Sequence, residues 1–202
     1  MKHRITLTKL VSQFLLLLLV GSASSWASSI QVGQPLPDLT ITDRGELMFA
    51  EEEFSFQPWQ VPGNLGKVHV LQYMAATMKA RSQSKPFTDA LEQQIPFGSY
   101  HVTTVVNLDD ALFGTGGFVI GEVKSSKKQY PMSTIVVDED GTGLEAWQLN
   151  RKSSAIVVVD ASGTVLYLKQ GAMTEQEIES TLQLIRTQLP KEALEQSLDP
   201  SS

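Results

Sequence analysis

The sequence predicts an α/β fold, in which a mixed central sheet is flanked by helices and extended by an added N-terminal β-hairpin. Three observations predict it. Short β-prone runs alternate with helical segments from residue 68 to residue 137, and such alternation demands crossover connections and a partly parallel sheet. Two continuous β-branched runs, Thr134-Ile135-Val136-Val137 and Ala155 to Val159, have the composition of buried central strands. The last helix is specified locally. Thr174 with Glu177 three residues on makes a capping box, in which the hydroxyl accepts from the N3 amide and the carboxylate reaches back to the cap amide.

The elements follow in order. Leu39-Thr40-Ile41 and Leu47-Met48-Phe49 flank Asp43-Arg44-Gly45-Glu46, which predicts a hairpin turned at Gly45. Residues 51–64 read as irregular, broken by Pro58, Pro62 and Gly63, with Phe54, Phe56 and Trp59 pinning them to the core. Gly66-Lys67 launches a strand over Val68 to Tyr73, and Met74 to Thr77 is its exit loop. Residues 78–94 read as helical, with Pro86 either kinking one helix or starting a second. Tyr100 to Val106 is the next strand. It runs into the polar loop Asn107-Leu108-Asp109-Asp110-Ala111 and then Gly114, Gly116 and Gly117. A helix over 118–128 ends in Lys127-Lys128, as suits the negative end of a helix dipole. Asp138 to Gly141 turns the strand that begins at Thr134, and Asp160-Ala161-Ser162-Gly163 turns Ala155 to Val159 into Thr164 to Leu168. In the final helix Ile178, Leu182, Ile185 and Leu189 share one face, and Pro190 ends it.

The two ends are read apart from the fold. Residues 1–27 have the form of a cleaved signal peptide: Lys2, Arg4 and Lys9 in front, an apolar run from Phe14 to Val20, and small residues ending at Ala27 or, alternatively, Ala23. That run is far short of the roughly 20 apolar residues that span a bilayer, so no membrane anchor is expected after cleavage. No cysteine is present to carry a lipid. Residues 28–190 fit one domain, and 191–202 are expected to be a disordered C-terminal tail. The formal charge is −6. Loss of the three basic residues of the signal would take it to −9. Such an acidic surface is a poor partner for nucleic acid, whose binding is dominated by Lys and Arg on phosphates.

The element order, with these words, resembles exported thioredoxin-like proteins of the peroxiredoxin and TlpA type, over about Ile41 to Leu189. Thr42 to Glu46 is similar to that group's opening hairpin, and Gly66 to Tyr73 to the strand that delivers its active-site loop. Ile135 to Gly141 with Ala146-Trp147-Gln148-Leu149 is similar to its strand and Asp-Gly turn, and Ile156 to Asp160 with Gly171 to Glu175 to its last hairpin and helix start. More closely, the chain resembles the YtfJ family of small bacterial periplasmic proteins. The words that carry this are Ile41 to Leu47, Val70-Leu71-Gln72, Thr104 to Asn107, Asp109-Asp110 and Ala146 to Leu149. The resemblance implies a thioredoxin-like fold, a periplasmic location and no established biochemical activity. The transcriptional-regulator label given to some such proteins fits an exported acidic domain badly.

Two departures set the chain apart from redox thioredoxins. They carry Cys-x-x-Cys at the strand-to-helix junction, where local positive potential makes a thiolate available. Here Met74 to Arg81 reads Met-Ala-Ala-Thr-Met-Lys-Ala-Arg. They also carry a cis-proline before the strand matched by Ala155 to Val159, where this chain has Ser153-Ser154. A non-proline cis bond costs about 2.5–4 kcal/mol, so a trans bond and a reshaped groove are expected.

The candidate groove lies between the loop of Met74 and Thr77, the turn of Ser153 and Ser154, and the loop of Asn107, Asp109 and Asp110. No catalytic or metal constellation is found, and no cofactor is expected. Asn107, Asp109 and Asp110 offer oxygens to a hard cation, or serve as loop and helix caps. His69 and His101 sit on predicted strands and would need converging partners to act as ligands or bases. Gly114 to Gly117 could cradle an anion or form a flexible loop. Lys124, Lys127 and Lys128 form a small basic patch, solvated or used for docking. Arg151 and Lys152 beside Ser153-Ser154 could hold a carboxylate. The function expected is a redox-inactive binding or adaptor protein for an unknown periplasmic protein or small ligand. A cysteine-independent enzyme and a stress-linked structural protein are the alternatives.

Overall fold

The computed structural model describes residues 29–62 and 66–190. The expected signal segment and C-terminal tail lie outside the described residues. In chain order the elements are β1 (Thr40–Ala50), β2 (Glu53–Gln60), β3 (Val68–Ala75), α1 (Met78–Gln94), β4 (Tyr100–Asn107), α2 (Gly116–Gln129), β5 (Thr134–Asp138), α3 (Thr142–Ala146), β6 (Ser154–Val159), β7 (Val165–Gln170) and α4 (Glu175–Gln188). The seven strands form one sheet in the order β2-β1-β5-β4-β3-β6-β7. The β3–β4 and β4–β5 pairs, each joined through a helix, are parallel, and the pairs outside them are antiparallel.

Both faces of the sheet are covered, which is why β5 and β6 read as continuous apolar runs and why even His69 and Gln72 of β3 are buried. Val68 and Val70 of β3 pack with Phe87 and Leu91 of α1 and Leu182 and Ile185 of α4. Leu71 and Tyr73 point the other way, into a cluster with Leu36, Leu39, Trp59, Leu144 and Trp147. A third cluster joins Leu47, Val106, Ile135 and Val137 to Val123 of α2.

The opening hairpin is not where the sequence places it. Thr40 to Ala50 is a single strand, and the chain reverses at Glu51-Glu52, both with positive φ (52° and 66°). Gly45, read as a turn, is a β-bulge residue: the β1–β2 register breaks between Ile41 and Glu46, while Gly45 and Glu46 pair with Val137 and Val136 of β5. Residues 53–60, read as irregular, form β2. The strand accommodates Pro58 because β2 lies at the sheet edge and the proline falls within the register break, where no ladder amide is required.

Elsewhere the local signals hold. Pro86 sits inside one continuous helix, α1. The Thr174–Glu177 capping box is formed in both directions. The short α3 was not anticipated. It starts from Gly141 at φ 75°, a left-handed cap that reads in sequence as an ordinary turn.

Candidate functional site

The predicted loops converge at the C-terminal ends of the parallel strands. Open α/β sheets bind ligands there. β3 and β4 run side by side to their last residues, with Ala75 opposite Asn107. β6 begins beside β3, with Ser154 opposite Met74.

Hydrogen bonds lace these loops together. Ala75 N donates to the Ser153 carbonyl (3.0 Å) and Ala76 N to the Asn107 carbonyl (2.9 Å). Asn107 is buried, and its Oδ1 accepts from Asp109 N at 2.9 Å. The buried Asp110 Oδ2 accepts from Lys152 N at 2.7 Å, which pins a residue held at φ 54°. Gln83 Oε1, from α1, accepts from both Ser154 N (3.1 Å) and Ser153 Oγ (3.2 Å). The Ser153–Ser154 bond is trans, as expected. Its carbonyls are already used: Ser153 O by Ala75, and Ser154 O by Gly171 N at 2.7 Å.

Each predicted residue therefore has a place. Thr77 caps α1, its hydroxyl accepting from Ala80 N at 3.2 Å. Met74, read from sequence as the start of the exit loop, is a residue of β3 paired with Val106 and Ser154, and its sulfur accepts from Ser84 Oγ at 3.0 Å. Asp109 pairs with Arg151 Nη2 at 2.6 Å. The same guanidinium lies 3.1 Å from Asp110 Oδ1, close enough for attraction but not aligned to donate. Asp110 Oδ1 and Ser154 Oγ are thus buried without a hydrogen-bond partner. Among the described residues no group of three or more His, Asp or Glu side chains is arranged to hold a metal.

Sequence reasoning missed the buried carboxylate beside these loops. Asp138, read only as part of a turn, ends β5 and is fully buried. Its Oδ2 accepts from Tyr73 Oη (2.7 Å) and Gly143 N (2.8 Å), and its Oδ1 from Thr142 N (2.8 Å). Burial raises its pKa above the ordinary carboxylate range, and the Tyr73 and amide bonds oppose that rise. Burial and the facing Asp138 raise the Tyr73 phenol as well. A Cβ on Gly143 would lie 2.6 Å from the Tyr73 ring, so only glycine lets α3 approach this pair. The available signal was the Asp-x-x-Gly-Thr-Gly run at 138–143.

The remaining candidates lie elsewhere. His69 and His101 face each other across β3 and β4, rings 4.9 Å apart and edge-on. Each bonds a threonine: His69 to Thr103 (2.7 Å) and His101 to Thr134 (2.9 Å). Burial, with His101 nearby, pushes the His69 pKa down to about 3, so the ring is neutral at ordinary pH. Gly116 and Gly117 are the first turn of α2 rather than a loop. The three lysines do not form one patch. Lys124 and Lys128 lie over the Phe54 and Phe49 rings at 5.2 and 5.1 Å, whereas the buried Lys127 donates to the carbonyls of Pro131 and Ser133.

The fold is shared with solved structures. A thioredoxin-like superfamily protein, SPOA0173, superposes with TM-score 0.55 at 16% identity, over 78% of this chain and 97% of that one. A peroxiredoxin-like protein from Aquifex aeolicus gives TM-score 0.51 at 14% identity, over 78% and 89%. These likenesses establish the thioredoxin-like architecture and nothing of the chemistry. The chain has no cysteine, so it has no thiol–disulfide chemistry of its own. Among curated proteins, an uncharacterized protein YtfJ from Escherichia coli (strain K12) is 38% identical over 182 residues, 90% of this chain and 97% of that one. The model of a bacterial protein family of unknown function, YtfJ_HI0045, matches residues 30–188. With the fold, the described domain and that match coinciding almost end to end, the chain belongs to the YtfJ family.

Proposed function

We propose that this protein is a redox-inactive binding or adaptor module, exported to the periplasm, that engages a partner protein or small ligand non-covalently. It is not an enzyme in this reading, and it uses no cofactor, no nucleic acid and no membrane anchor. One observation carries the proposal. Beside the strand-to-helix junction where redox relatives bear their thiols, the neighbouring loops carry Asn107, Asp109, Asp110, Ser153 and Ser154, held by bonds among themselves and to Gln83, Arg151 and Lys152. Loops tied to one another by this many hydrogen bonds are suited to presenting a fixed shape. Preorganisation of that kind lowers the entropy cost of association. The apolar leader with its basic front supports export.

The test is photocrosslinking in living cells, with a photoreactive residue at Asp109 or Ser153. A discrete adduct dependent on light and on the probe position supports the proposal. No adduct above the unirradiated control at either position overturns it. Insulin reduction or peroxide consumption by the purified chain would refute the redox-inactive part.

A further inference from the structure

The surface beside the laced loops is strongly apolar. Met78, Leu112, Phe113 and Phe118 are 78, 71, 106 and 70% exposed. They are neighbours for a geometric reason. Arg81 of α1 forms a two-pronged ion pair with Glu122 of α2, fixing the two helices at one height. Met78 stands one turn above Arg81, and Phe118 one turn above Glu122. Residues three and four apart share a helix face, so Met78 and Phe118 crown the same bridge. Leu112 and Phe113 lie in the loop that leads into the same end of α2, where Thr115 N bonds back to the Leu112 carbonyl at 3.0 Å. Exposed aromatic and aliphatic groups in one cluster mark interaction sites on soluble domains.

Among the described residues, two cations beside the cluster are left without a matching carboxylate. The protein carries −6 overall, yet this rim holds Lys79, Arg81, Arg151 and Lys152. Arg81 is matched by Glu122, and Arg151 by Asp109 and Asp110. Lys79 and Lys152 are exposed and pair with no carboxylate among the described residues. Neither α1 nor α2 has an acidic residue in its first turn. Lys152 is tied to the same loop, since its amide bonds Asp110, two residues before Leu112.

We propose that this surface docks an acidic, apolar segment of a partner protein, with Phe113 and Phe118 as the anchors and Lys79 and Lys152 facing its carboxylates. The proposal rests on the binding reading above and adds to it the chemistry of the occupant. Aromatic anchors carry affinity in such contacts, and the lysine rim supplies selection between partners by charge.

The test uses two labelled twelve-residue peptides, one alternating Asp or Glu with Leu and Phe, the other with Lys in place of every acid. Binding to the purified protein is followed by fluorescence anisotropy. The acidic peptide should bind at least about tenfold more tightly, and this should weaken as salt is raised. The double variant Phe113→Ser/Phe118→Ser should lose about tenfold or more, and Lys79→Glu/Lys152→Glu should reverse the preference. All four positions are exposed, so unchanged circular dichroism and melting confirm that the fold is intact. Equal binding of the two peptides, or indifference to the variants, overturns the proposal. So does a concentration-dependent dimer abolished by the serine variant, which would give the surface to a second copy of the chain. Crosslinkers separate the two levels. Capture from Asp109 or Ser153 but not from Phe113 sinks this surface and spares the binding reading, whereas capture from none of the three sinks both.

Discussion

A Cβ placed on Gly45 would lie 2.1 Å from the main-chain carbonyl oxygen of Gln57. This contact fixes the bulge of β1 against the edge strand β2. It also fixes what the bulge presents. Asp43 Oδ2 accepts from the amides of Glu139 (2.6 Å) and Asp140 (2.7 Å), and Arg44 makes a two-pronged pair with Glu139. The first strand thereby anchors the turn that follows the buried Asp138.

Gly45→Ala should therefore destabilise the protein by about 2 kcal/mol or more. The alanine needs a left-handed φ of 76° as well as space held by backbone, and each such strain costs about 1–3 kcal/mol. Urea denaturation monitored by circular dichroism measures it. An unchanged midpoint would show that β2 moves aside freely.

Asp110→Ala should cost more than Asp109→Ala. Asp109 meets Arg151 at the surface, and exposed pairs are worth about 0–1 kcal/mol. Asp110 is buried and accepts from Lys152 N, so its loss strands an amide at a cost of about 1–3 kcal/mol. Hydrogen exchange at the Lys152 amide should accelerate in the first variant and stay slow in the second. Equal effects of the two would deny Asp110 its role as the latch between the loops.

Tyr73→Phe should lower stability by about 1–3 kcal/mol, because it removes one of the three donors to the buried Asp138 carboxylate. Pairing the change with Asp138→Asn tests the coupling. In a double-mutant cycle the two should be strongly non-additive. Simple additivity would mean that the phenol and carboxylate act independently.

Stability should fall as the pH is lowered below neutrality, in part through His69. Its folded pKa is pushed down to about 3, against about 6.5 in an unfolded chain. Between those values the unfolded chain takes up a proton that the folded protein refuses, so this group favours unfolding increasingly as pH drops. The slope is up to about 1.4 kcal/mol per pH unit. His101, also shifted down by burial, adds in the same sense. His69→Gln retains a partner for Thr103 and cannot titrate, so its stability should depend less on pH between about pH 6 and pH 4. A variant with the parent's full slope would remove His69 from the account.

The sequence by itself determined the elements whose cause is local. The Thr174–Glu177 box and the apolar face from Ile178 to Leu189 need only neighbours within one helix. The β-branched runs at 134–137 and 155–159 have no comfortable alternative to buried strands. The missing thiol at Met74 to Arg81 was equally plain. Tertiary structure decided what depends on partners distant along the chain. Asp43-Arg44-Gly45-Glu46 has the composition of a turn, and only pairing with β5 and the approach of Gln57 made it a bulge. Pro58 reads as a breaker until the strand is placed at an edge. Asp138 reads as a turn residue until Tyr73, from 65 positions earlier, meets it. The loop residues of the site were legible, but their mutual hydrogen bonds were not, because sheet register, not loop composition, sets which loop ends meet.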